Sequence, residues 1–182
     1  MKLKYLFLLL FPIFLNGQSE NTELIIGKER VEPGVIFIFE GAIKDQIMPV
    51  SMHLSEKETN IHIEARVNWD NKDLPEGAPS GGFVPYLHIS AKVINEVTGI
   101  STFIDLLPHI NLIDNFHYAR NISLPGKISD LYNVTFHITG PSLKDIALHK
   151  DWLSKYGNFF LKDQSFQYSG LNFEAVAKAS RK

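Results

Sequence analysis

Several stretches of this chain place apolar residues at every second position, and none keeps a 3.6-residue period over the length of an ordinary helix. That property argues against a helical bundle and against alternating strand–helix layers, and it leaves β-strands separated by turns. Residues 60–69 show the pattern most cleanly. Ile61, Ile63 and Ala65 share one face of a strand, and His62 and Glu64 share the other.

The rest of the chain follows suit. Residues 24–27 and 34–40 read as strands, and 46–55 as an irregular connection holding Met48, Met52 and His53. Residues 70–82 are dense in Asp, Asn, Pro, Gly and Ser and read as a surface loop. A strand over 83–94 turns at residues 95–99 into its partner over 100–107, while 112–118 has no clean period. Residues 132–138 and 159–173 supply the last strands, and a single short helix is expected near 145–154. About seven strands with turn signals between them predict an all-β sandwich.

The amino terminus is set apart. Lys2 and Lys4 precede an apolar run over residues 6–15, and Asn16-Gly17 follows. This is the layout of a secretory signal peptide over residues 1–17, with an apolar core short for a membrane span. No cysteine follows the run, which excludes a lipoprotein anchor, so residues 18–182 are expected as one exported, soluble domain without a direct membrane anchor. Removing the two lysines takes the formal charge from -2 to -4, with no basic footprint for nucleic acid. The absence of cysteine excludes disulfides, thiolate metal sites and thiol nucleophiles.

A metal ion would therefore be held by His, carboxylate, Met or backbone oxygen, and seven histidines are available. His62 and Glu64, side by side on one strand face, make half of such a site. Arg66 shares that face, so a Glu64–Arg66 ion pair is the competing reading. His137 lies on a strand whose Phe136 and Ile138 face the other way, leaving the imidazole outside the core side. His117 and His109 lie in irregular stretches, where functional residues are frequent. His53, His88 and His149 carry nothing that separates them from ordinary surface or hydrogen-bonded histidines.

Five segments, in order and spanning almost all of residues 18–182, resemble the periplasmic ferrous-iron-transport (FetP-like) proteins. His62-Ile63-Glu64-Ala65 resembles that family's His-Leu-Glu-Ala strand, and Val84-Pro85-Tyr86-Leu87 its Val-Pro-Tyr-Leu segment. Asp114-Asn115-Phe116-His117-Tyr118 is similar to its Asp-Gly-x-His-Tyr-Gly stretch. The strand ending at His137, followed by Pro141-Ser142, and the closing Phe166-Gln167-Tyr168-Ser169-Gly170 complete the match. The resemblance implies an immunoglobulin-like β-sandwich that binds iron with copper, pairs into a homodimer and serves an inner-membrane iron permease from the periplasm. It also implies that His62, Glu64, His117 and His137 hold the metal.

Two departures bear on that ligand set. Where the family carries Met-Pro-Met, this chain has Pro108-His109-Ile110, so the ligand methionine falls on Ile110. His109 takes its place if the register slips by one, or Met48 or Met52 reaches in. The glycine after His-Tyr is Ala119. Histidines and a carboxylate without thioether favour Cu(II), Fe(II) or Zn(II) over Cu(I). Free histidine titrates near 6.5, so affinity is expected to fall below roughly pH 6. The alternatives are an adhesion or assembly module with structural histidines and, resting on the metal alone, a copper-dependent oxidoreductase. The sequence offers no Ser-His-Asp arrangement or phosphate-cradling glycine loop to support an enzyme.

Overall fold

The computed structural model describes residues 23–181; the leader expected over residues 1–17 lies outside them. Eight antiparallel strands run β1 (Leu24–Val31), β2 (Val35–Ala42), β3 (Ile61–Trp69), β4 (His88–Asn95), β5 (Ser101–Asn111), β6 (Asn115–Ile122), β7 (Leu131–Thr139) and β8 (Gln164–Asn172). Two short helices, α1 (Lys150–Tyr156) and α2 (Glu174–Lys178), follow β7 and β8. The strands hydrogen-bond in the order β1-β2-β3-β6-β5-β4-β7-β8, a single sheet that curls almost into a barrel.

The long strand β5 makes the curl. Its first half, Ser101 to Leu106, pairs with β4, and its second half, Leu107 to Asn111, pairs with β6. The two halves of the sheet thereby face each other over a common core. Alternate residues of β3 (Ile61, Ile63, Ala65, Val67) meet alternate residues of β4 and β7 (Ile89, Ala91, Val93, Val134, Phe136) in that core. Phe39 of β2 stacks on Phe136 of β7 with ring centroids 4.0 Å apart, which ties the halves together. At the remaining gap, Tyr168 of β8 donates a 2.9 Å hydrogen bond to Glu29 of β1. The Tyr168 ring lies over Gly27, where any Cβ would collide with it.

Three local expectations change. The strand expected from residue 83 begins at His88, because Pro85 offers no N–H and Tyr86 has a positive φ of 65°. Residues 83–87 are held instead by Tyr118, whose hydroxyl donates to the Val84 carbonyl at 2.9 Å and accepts from the Leu87 N–H at 3.1 Å. The aperiodic stretch after residue 112 leads into the eighth strand, β6, which is buried on both faces and therefore does not alternate. The short helix starts at Lys150 rather than near residue 145. Among the described residues no helix is long and apolar enough to cross a membrane.

Candidate metal centre

With Ile61, Ile63 and Ala65 turned to the core, His62 and Glu64 face outward from β3, yet both are buried. Their cover comes from β6, β5 and the connection between β2 and β3. In register, His62 lies across from Asn121 and Glu64 across from Ala119, while His117 of β6 lies across from His109 of β5. Ala119, small and fully buried, leaves room beside Glu64. Asn121 donates through Nδ2 to the carbonyls of Asp45 at 2.8 Å and Leu54 at 3.1 Å, which pins the irregular connection over the site.

One ligand nitrogen each from His62, His109 and His117 falls within 4.8 Å of the others. Hydrogen bonds aim two of them. His62 Nδ1 lies 2.9 Å from Asn121 Oδ1, and because Asn121 Nδ2 is engaged elsewhere, Nδ1 is the donor. His117 Nδ1 lies 3.0 Å from the Asn115 carbonyl, which can only accept. These bonds, which assign the protons, place the lone pair of each neutral ring on Nε2. Both Nε2 atoms point at Glu64 Oε2, at 3.8 Å for His62 and 3.7 Å for His117, beyond hydrogen-bonding distance. Among the described residues, His109 Nε2 is buried and has no hydrogen-bond partner.

The charge states follow from burial. It holds His62 down to about 4, partly opposed by the Asn121 bond, and His109 down to about 3, helped by neighbouring histidines. Burial pushes Glu64 up to about 8, aided by the nearby Asp114 and Glu40 carboxylates. Near neutral pH His62 and His109 are uncharged imidazoles beside a protonated Glu64 carboxyl. A buried, unpartnered nitrogen, two lone pairs aimed at one point and a carboxylate able to ionise fit a divalent ion of intermediate softness.

The residues singled out from sequence divide unevenly. His62, Glu64, His109 and His117 come together. His137 does not: it is exposed on the outer face of β7, between Ser90 and Ser165, with Ser165 Oγ 3.3 Å from its Nδ1. Ile110 points away from His109, as its neighbour on an alternating strand must, and is exposed. Arg66 bonds Glu40 at 2.6 Å and lies 3.6 Å from Asp114, so the competing Glu64–Arg66 pair does not form. Met48, Met52 and His53 line the 640 Å³ cleft into which His62, His109 and His117 open. Asn121 and His53 were not singled out. No local signal marks Asn121, whose partner lies 59 residues away in sequence.

The fold and this cluster together define an all-β protein with an imidazole–carboxylate centre suited to a divalent metal ion. By sequence the chain belongs to the Fe2+ transport protein family, whose profile matches residues 20–175. It is 33% identical over 143 residues to the 34 kDa membrane antigen of Treponema pallidum (strain Nichols), covering 74% of this chain and 66% of the antigen. The chain thus spans slightly less than two thirds of that relative. Two solved structures share the fold at 24% identity. One is a copper-bound glutamate-to-glutamine variant of FetP from uropathogenic Escherichia coli strain F11, with TM-score 0.65 over 81% of this chain and 95% of that one. The other is a copper-bound methionine-to-isoleucine variant of P19 from Campylobacter jejuni, with TM-score 0.67 over 81% and 96%.

Proposed function

We propose that the chain is an exported, periplasmic metal-binding protein that captures iron, with copper, for an iron permease of the inner membrane. The observation that carries this reading is the cluster of His62, His109 and His117, with Glu64 beside His62 and His117, in a member of the Fe2+ transport protein family. The neutral imidazoles would ligate through nitrogen, and Glu64, once ionised, would offset the charge of the cation. Nitrogen and oxygen donors of this kind suit Cu(II), Fe(II) and Zn(II). The copper-bound methionine-to-isoleucine variant of P19 supports copper binding in this fold. Export rests on the leader over residues 1–17.

The reading extends to a homodimer. His137, exposed on β7 and outside the cluster of its own chain, would ligate from a second copy. The β5–β6 hairpin beside the cleft exposes Ile110, Leu112, Ile113 and Phe116, apolar surface that a second copy would cover. In the same reading the fold is an immunoglobulin-like sandwich, the halves joined through β5 acting as its layers.

Metal analysis of protein purified without chelator tests the reading. Stoichiometric copper or iron is expected in the parent and not in the His62→Ala/His117→Ala double variant. Metal-free parent that also fails to take up either ion would favour structural histidines.

A further inference from the structure

The cleft that leads to His62 and His117 has a second set of donors at its mouth. The connection between β2 and β3 lays Met48, Met52 and His53 along one wall, and the Met52 N–H donates to the Pro49 carbonyl at 3.0 Å in a tight turn. Two of these side chains are solvent-facing, with Met48 71% and Met52 51% exposed. Surface thioethers gain nothing from that exposure as packing groups, whereas they are soft donors when a metal reaches them. His53 is half-buried, and its Nδ1 is buried with no hydrogen-bond partner among the described residues. An imidazole nitrogen left this way costs free energy unless something accepts its lone pair. The His53 ring stands edge-on to His109 at 5.0 Å between centroids, and His109 in turn stacks on His62 at 5.3 Å.

We propose that His53, with the thioethers of Met48 and Met52, forms an outer metal position at the mouth of the cleft that takes a soft monovalent cation, copper(I). Two thioethers and one imidazole make a donor set different from the inner one, which has no sulfur and favours divalent ions. His109, touching both His53 and His62, connects the outer donors with the inner ones. The idea that the outer position feeds an inner centre rests on the metal-binding reading above; the outer position itself rests on its own donors.

Competition of the whole protein against a chromogenic copper(I) chelator, under reductant, tests the inference. The parent should bind one equivalent of copper(I) at the outer position, which His53→Ala and Met48→Leu/Met52→Leu each weaken by about tenfold or more, the scale of losing a supporting metal contact. The His62→Ala/His117→Ala variant should keep this copper(I) equivalent while losing uptake of divalent metal, followed separately by titration with Cu(II). Since the outer residues are exposed or half-buried, circular dichroism should show all variants folded. Unchanged copper(I) binding in both outer variants overturns the inference, and so does loss of copper(I) binding in the inner variant. If the inner variant binds divalent metal like the parent while His53→Ala still loses copper(I), the inner reading fails and the outer one stands.

Discussion

Glu64 controls the proton balance of the inner centre. Its carboxyl is pushed up to about 8 by burial, while His62 and His109 are already neutral, at about 4 and about 3. Uptake of a divalent ion at pH 7 should therefore release close to one proton from Glu64, with none from His62 or His109. Calorimetry in buffers of different ionisation enthalpy measures this, and Glu64→Gln should bring the release close to zero while leaving binding detectable. Below pH 8 affinity should fall gradually as protons compete for Glu64. This differs from the sequence expectation of a loss set in near pH 6 by free histidine, because burial moves the two imidazoles and the carboxyl in opposite directions. Stability of the metal-free protein has its own signs. The raised Glu64 contributes stability present below its unfolded value of 4.5 and lost as pH rises through about 8. The lowered His62 and His109 contribute stability present above 6.5 and lost as pH falls through about 4 and about 3. These three groups together place the optimum of the metal-free protein near 6.5, which urea denaturation across pH would reveal.

At the scale of elements, the site is an outward strand face that a loop has covered. Asn121 holds both His62 and the covering connection, so Asn121→Ala should weaken metal binding by about 10- to 100-fold, the usual cost of losing an orienting partner. Its effect should exceed that of Arg66→Ala, because Arg66 bonds Glu40 rather than Glu64. On the core side of β6, Tyr118→Phe leaves the Leu87 N–H and Val84 carbonyl without their partner and should cost about 1–3 kcal/mol in urea denaturation. Strand β3 was legible in the sequence because one of its faces is uniformly apolar and the other is not. Strand β6 was not, because Tyr118 and Ile122 face the core while His117, Ala119 and Asn121 are buried under the loop. Burial of polar groups on the second face removes the alternation that marks a strand.

For the molecule as a whole, the all-β class and the pairing of His62 with Glu64 could be read from spacing, since both depend on neighbours in sequence. Assembly of the cluster could not. His62, His109 and His117 meet because β5 changes partners between Leu106 and Leu107 and lays its second half against β6. The same register brings His109 opposite His117 and turns Ile110 away. It also leaves His137 on the far side of its own chain, so its contribution should appear only in a dimer. Sedimentation velocity should show the parent as a dimer, and His137→Ala should lower metal affinity only at protein concentrations where that dimer persists. The most direct measurement is calorimetric titration of the metal-free protein with Cu(II) and Fe(II), comparing the parent with His62→Ala and His117→Ala. Saturable binding in the parent that either substitution weakens severely is the predicted result; equal binding in all three proteins would contradict the assignment.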